Sequence, residues 1–490
     1  MRLAGLSEEY LREVQAGVSL EGTFDDLPTQ TKRAVLQRLA ASAQDLDLLV
    51  TNLRILEEEM VLLSESAGVG SMFFILDPLR EDVQAAQEPL ELLSIAARVL
   101  PGFAGLEEPS SILLLFMNND ELRPGGGFIG SYGVLEMYGG DIVHLETADS
   151  YTLDRAAEDD VTRTAPEPLS RYNATGEWFF RDSNWSPDFA ASSVLSSELF
   201  LEEVGFLDEG SEIPAMKRID HLVGFTPTYA SDLLSITGPI TVGGQTFTSE
   251  NVADLLEYQV QYGYALNGTP EAQRKEILAD LVNEMKTRIY SLPSADWSLV
   301  LKVTMKALTQ KQLLLYSTDE VIQDVLQEVG WAGSIDFASV DALMVVDANL
   351  ASLKSDPAVK RHVTYEVYQN TSNQWVGRVA IAYAHEGMFD WKTTRYRTYT
   401  RVYLPQGTQL LGVEGSWFND ITQNPGRAKG SVDVVEESGF ISFGAFTSVE
   451  PGQKHTLIFE FVLASEDEWG DDVYRLNTIL SQDLVVKVEL

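Results

Sequence analysis

At 490 residues the chain exceeds one ordinary core, and about 150 residues per domain suggests three units. Its 35 Lys+Arg against 74 Asp+Glu leave a net charge of -39, which argues against nucleic acid and against unaided adsorption to an anionic membrane. With no cysteine, disulfides, thiolate catalysis and cysteine-ligated metal are excluded, while 44% hydrophobic and 10% aromatic residues are those of a globular protein. No apolar stretch approaches the roughly 20 residues of a spanning helix, and the N-terminus has no signal-peptide pattern. An exported form would need a targeting segment beyond these residues.

From Thr29 to Leu63, apolar residues recur at three- and four-residue steps (Leu36, Leu39, Ala43, Leu46, Val50, Leu53, Leu56, Met60, Leu63). This predicts one amphipathic helix of roughly 50 Å, broken by Gly68 and Gly70. A second helical pattern, Leu79 to Leu100, folds back as a hairpin or serves as a stalk or dimer seam. Residues 1–105 read as this helical hairpin region.

Ile112 to Met117 has no polar alternation and reads as a strand buried on both faces of an α/β sheet. Asn118, Asn119, Asp120, Glu121 and Arg123 crowd its exit, where sites of open α/β sheets lie. Gly125-x-Gly127-x-x-Gly130 follows, but strand-like sequence comes next, so no helix start awaits a pyrophosphate. A sharp turn with close strand packing is the plainer role of these glycines. Phe128 to Tyr138 and Asp141 to Thr147 read as strands around Gly139-Gly140, and Asp149 to Arg171 as an acidic loop.

Trp178 to Phe189 interleaves aromatic residues with charges and amides, making it either a hydrogen-bonded corner or part of a site. A helix over Ala190 to Val204, a strand over Ile219 to Phe225, a helix over Pro227 to Ile236 and a hairpin around Gly243-Gly244 follow. Thr269-Pro270-Glu271 signals a helix start, placing Arg274 and Lys275 in the first turns, against the dipole. They are either solvated surface cations or a site for an anion. Residues 106–357 thus form a central α/β domain with a mixed sheet. From Val359, period-two alternation separated by turns predicts an immunoglobulin-like β-sandwich over 358–490. The fold class is α/β plus all-β.

The stretches Asn118 to Ser131 and Arg181 to Phe189 carry a resemblance to a bacterial family of membrane-anchored envelope proteins of unknown function, with the signature N-N-x-E-L-R-P-x-G-G-F-I-G-S and R-D-x-N-W-S-P-D-F. Thr237 to Ile240, Arg274-Lys275, Lys311 to Tyr316, Val345 to Asn349 and Tyr399 to Pro405 match it as well. Its members usually begin with a transmembrane helix, which this sequence lacks. The resemblance therefore implies an extracytoplasmic protein held at the bacterial surface. More distantly, the central region resembles the LytR-CpsA-Psr phosphotransferases, which move glycopolymers from a polyprenyl pyrophosphate onto cell wall. Arg181-Asp182 falls at their P-R-D-T and Arg274 at their second helix arginine. A glycine replaces the catalytic acid of their R-S-D-T, Glu271 stands at the first helix arginine, and Gln259-Val260-Gln261 replaces the tyrosine-x-arginine strand.

Two functions follow from the resemblance. Transfer of a polyprenyl-linked or cell-wall glycan would use Arg123, Arg181, Asp182 and Glu121 as catalytic groups. Asn118, Asn119, Asn184, Arg274 and Lys275 would bind the ligand, with Mg2+ or another divalent cation on Asp120, Asp182 and Asp188. The carrier lipid would enter an apolar cleft lined by Ile219 to Ile240 and the helix after Arg274. The alternative is a non-enzymatic envelope scaffold or glycan- or lipid-binding module. Asp182-x-Asn184-x-x-x-Asp188 gives only part of a calcium loop, and His144, His221, His362, His385 and His455 show no metal spacing.

Overall fold

A computed structural model describes residues 23–66, 73–173, 175–266, 270, 274–293, 296–335, 342–418, 428–437, 439–463, 477–478 and 484–488. Gly68, Gly70, Thr269 and Glu271 lie outside them. The chain forms two compact units, each built from several segments: up to Leu115 with Ser131–Asp149 and Gly210–Gly333, and Phe116–Gly130 with Ser150–Glu209 and residues from Ser334 on.

The first unit contains the helical hairpin. Helix Ala43–Ser66 runs antiparallel to helix Phe73–Phe103, with Gln84 bonded to Glu57 at 2.6 Å and Arg54 paired with Glu91 at 2.9 Å. Leu46, Val50, Leu53 and Met60 are buried as the periodicity predicts, whereas Leu63, the last residue of the predicted stripe, is exposed. The first helix is not continuous, however: a separate helix spans Thr29–Ala41, and Ser42 divides the two. The Ser42 hydroxyl donates to the Arg38 carbonyl at 2.8 Å, a local bond that competes with the helical ladder. Among the described residues no helix is long and apolar enough to cross a membrane.

A mixed five-stranded sheet of order β3-β2-β1-β4-β7 is built from β1 (Ser110–Asn118), β2 (Phe128–Tyr138), β3 (Asp141–Asp149), β4 (His221–Phe225) and β7 (Leu313–Ser317). The continuous apolar run makes β1 the middle strand, with Ile112, Leu113, Leu115 and Met117 nearly inaccessible. Antiparallel β2 and β3 meet at Gly139 and Gly140, with φ of 59° and 88°, the left-handed pair that a two-residue hairpin requires. Gly243 and Gly244 turn β5 (Ile240–Val242) into β6 (Gln245–Phe247) in the same way.

The second unit contains two five-stranded sheets packed face to face. One has the order β12-β15-β10-β9-β17, from β9 (Val359–Gln369), β10 (Trp375–His385), β12 (Gln409–Glu414), β15 (Lys454–Val462) and β17 (Leu484–Val488). The other, β13-β14-β11-β8-β16, comprises β8 (Ala342–Asn349), β11 (Tyr396–Pro405), β13 (Asp433–Glu437), β14 (Phe440–Val449) and β16 (Asn477–Thr478). Both faces contribute to one core, including Tyr365, Ile381, Phe459 and Phe461 from the first sheet and Tyr396, Val402 and Phe443 from the second. β8, upstream of the expected sandwich boundary, pairs with β11.

The stretch read as an acidic loop instead contains helices Ser150–Ala156 and Glu167–Tyr172. Ala157 and Val161 pack with Phe179, and Tyr172 stacks on Phe446 at 3.9 Å. Helices this short have little intrinsic stability and no legible period; tertiary burial holds them.

Candidate functional site

The two signature stretches meet inside the second unit. At the end of β1, the Asn118 side chain accepts the Asp120 N–H at 3.0 Å and its carbonyl accepts the Glu121 N–H at 3.1 Å. Asn119 is a half-buried member of this turn. The turn can close because a Cβ on Gly127 would lie 2.5 Å from the Asn118 carbonyl carbon, so only glycine fits. The Asn184 amide donates to the Gly127 carbonyl at 2.7 Å, and the Gly125 N–H donates to the Asn184 carbonyl at 3.0 Å. The glycines thus serve a turn and close packing, with strand β2 after them.

Arg123 is the hub, only 4% exposed. Its Nε and Nη2 donate to Asp182 Oδ1 at 3.4 Å, Nη2 also reaches Glu121 at 3.3 Å, and Nη1 donates to the carbonyls of Asn349 and Leu122. Its guanidinium lies 5.0 Å from the centre of the Phe128 ring. Lys354 Nζ pairs with the second Glu121 oxygen and Lys392 with Asp120 at 2.8 Å. Burial alone would raise the Glu121 pKa, but Lys354 and Arg123 outweigh it and hold the carboxyl below its usual range.

Arg181 sits on the 3-10 turn Phe180–Asp182, packed against the rings of Tyr151 and Phe179. It donates to Asp154 at 2.5 Å and lies 3.4 Å from Asp182 Oδ2. Asp154 in turn faces Glu203, which is fully buried and accepts the Phe180 N–H at 2.6 Å. Burial, followed by the Asp154 charge, pushes the Glu203 carboxyl up to about 9; burial lifts Asp154 to about 6 against the pull of Arg181. Asp154 Oδ1 and Glu203 Oε2 are buried without another donor, and one proton held between them would satisfy both.

The remaining candidates are used differently. Asp188 caps the helix Phe189–Gly205, accepting the Ala191 N–H at 2.9 Å with one oxygen and the Ile335 N–H at 3.0 Å with the other. Asp120, Asp182 and Asp188 are therefore engaged separately, by Lys392, by two arginines and by backbone N–H groups. Among the described residues no three such groups gather as a metal-holding set, so this donor arrangement does not fit a divalent ion. Arg274 and Lys275 belong to the first unit and precede helix Glu276–Tyr290 rather than lying within it. Each takes one oxygen of Asp149, at 3.1 and 2.8 Å, so the anion beside this helix start is the chain's own carboxylate. Of the residues expected to line a cleft, Leu234, Ile240, Ile277, Leu281 and Met285 pack with Phe247 and Val252 in one core.

Sequence reasoning missed Asp154, Glu203, Lys354 and Asp356. Asp356 accepts the Leu122 N–H at 3.0 Å and the Asn349 amide at 2.7 Å, and it pairs with Arg361, which also holds Asp347 at 2.7 Å. The matching Val345 to Asn349 segment was the available signal, since Asp347 and Asn349 both join this network.

Residues 107–262 match a family model described as a protein of unknown function, DUF4012. No curated protein matches the chain. Among solved structures, the transcriptional regulator yvhJ from Bacillus subtilis is similar over 46% of this chain and 97% of its own, at 13% identity and a TM-score of 0.19. So slight a likeness carries no functional inference.

Proposed function

We propose that this protein is a non-enzymatic scaffold of the bacterial cell envelope, in which the two signature stretches form a structural clasp rather than a phosphotransfer centre. Charge compensation around Arg123 supports this reading. Arg123, Arg181, Lys354 and Lys392 face Asp120, Glu121, Asp154 and Asp182, four cations against four acids, while Glu203 holds a proton. A pyrophosphate would have to displace buried carboxylates from their arginines, leaving charges uncompensated at a cost of several kcal/mol. The extracytoplasmic placement rests on the family resemblance of Asn118 to Ser131 and Arg181 to Phe189. In the same reading the sandwich is immunoglobulin-like and the sheet of the first unit is a divergent LytR-CpsA-Psr-like core.

Binding of a polyprenyl phosphate, with and without magnesium, tests this reading. The wild type and an Arg181→Ala/Arg274→Ala double variant should show no magnesium-dependent binding. Magnesium-dependent binding by the wild type, lost in a folded double variant, would overturn the scaffold reading in favour of phosphotransfer.

A further inference from the structure

Among the buried polar groups of the first unit, His221 is one that the fold leaves half satisfied. It opens β4 opposite Ser317 of β7 and is only 4% exposed. Its ring lies on the Phe103 ring, with centroids 3.9 Å apart and planes 15° from parallel. Phe103 ends the helix Phe73–Phe103, the second arm of the hairpin, and the adjoining Gly102 carbonyl accepts a hydrogen bond from the imidazole. Glycine permits this approach, since a Cβ on Gly102 would run into Ile322 Cδ1 and stand 3.9 Å from His221 Cε1. Val99, Ile322, Val325 and Leu326 pack with Phe103 in one apolar cluster. The histidine is thus a titratable group set where the hairpin meets the sheet.

The surroundings suit the neutral ring. Nδ1 is buried without a hydrogen-bond partner among the described residues, so a proton taken up there becomes a donor with no acceptor. The nearest acids are already engaged. Asp220, the preceding residue, accepts the Ser111 N–H at 2.8 Å and pairs with Arg218 at 3.0 Å. Asp319 caps the helix Glu320–Glu328, accepting the Val321 and Ile322 N–H groups at 2.9 and 3.1 Å, and Glu320 beside it is exposed. On the hairpin arm Arg98 lies 3.6 Å from Asp47 and 3.8 Å from Glu328, while β1 and β7 carry no charged side chain. Burial outweighs Asp220, the Gly102 carbonyl and Asp319, and it holds the imidazole below its usual range.

We propose that His221 is an acid-sensitive latch: once protonated, it leaves the Phe103 ring for water and frees the end of the hairpin helix from the sheet. A charged ring held in the stack has lost its hydration and gained no acceptor at Nδ1. Water is close, because the chain-end neighbour of β7, Thr318, is exposed and donates its N–H to the Asp220 carbonyl at 2.9 Å. The sign follows from the depressed folded value. The contribution of the neutral stack is complete above the unfolded pKa of about 6.5 and is lost as pH falls below it. Glu203 in the second unit acts in the opposite direction, with its loss at alkaline pH, so the two effects occupy separate pH ranges. The latch goes beyond the scaffold reading and does not depend on it.

Hydrogen exchange of the full chain at about pH 7.5 and about pH 5.5, corrected for intrinsic rates, tests the proposal. In the wild type the opening of residues 95–103 should increase towards about tenfold at the lower pH, the limit set by one pH unit below the unfolded pKa. His221→Gln, which keeps a neutral donor for the Gly102 carbonyl, should not show this increase; His221→Phe, which keeps the stack, takes its place if the glutamine variant does not fold. A histidine-selective NMR titration of the wild type needs no variant. The ring in contact with Phe103 should take up its proton over the same pH interval in which residues 95–103 open. Three results would overturn the latch: no increase in the wild type, an equal increase in a folded variant, or protonation of the ring while residues 95–103 stay protected.

Discussion

Arg123 in the second unit and Arg274 in the first both come from signature matches, and both end against carboxylates. Their surroundings separate them. The Arg123 side chain is 2% exposed and its partner Asp182 1%, whereas Arg274 is 22% exposed and Asp149 13%. In the first case desolvation makes every unmet donor or acceptor costly, so the partners must be complete. In the second, water compensates for part of what is lost. A motif arginine thus needs its burial known before a role is read from it; the buried one here is engaged by Asp182, Glu121 and two backbone carbonyls.

Removing the hub tests this contrast most severely. Arg123→Ala leaves Glu121 and Asp182 without their central cation, and chemical denaturation should show a loss of about 3–5 kcal/mol. A loss below about 1 kcal/mol would mean that the clasp does not hold the unit together.

A smaller effect is expected at the protonated end of the network. Glu203 is raised in the folded state to about 9, so above its unfolded value the unfolded chain releases the proton first. Its contribution to stability is therefore fully present below the unfolded pKa of about 4.5 and is lost as pH rises through about 9. Glu203→Gln keeps an acceptor for the Phe180 N–H and a donor for Asp154. Melting curves should show the variant gaining on the wild type by several degrees from acidic to alkaline pH. A difference independent of pH would place no proton at Glu203.

The smallest effect belongs to the first unit. Arg274→Ala should cost about 1 kcal/mol or less, because Lys275 still neutralises Asp149, and salt should shrink the difference further. A loss as large as that of Arg123→Ala would erase the contrast between the two arginines.

Much was legible in the sequence because it is encoded locally. The unbroken run Ile112 to Met117 marks a central strand, paired glycines at Gly139-Gly140 and Gly243-Gly244 mark hairpins, and period-two alternation after Val359 marks sheets with one buried face. The convergence of Glu121 and Arg123 with Arg181, Asp182 and Asn184 was also anticipated from the two polar stretches. What those residues touch was not, because a carboxylate that binds magnesium and one that neutralises a buried arginine look alike in sequence. Lys354, Asp356 and Lys392 lie more than two hundred residues from Asp120 to Leu122, and only the folded chain pairs them. The same holds for Asp154 and Glu203, whose raised pKa values come first from burial between helices rather than from spacing along the chain. Local pattern specifies which elements form; desolvation, which depends on every neighbour in three dimensions, decides whether their charges are free to act.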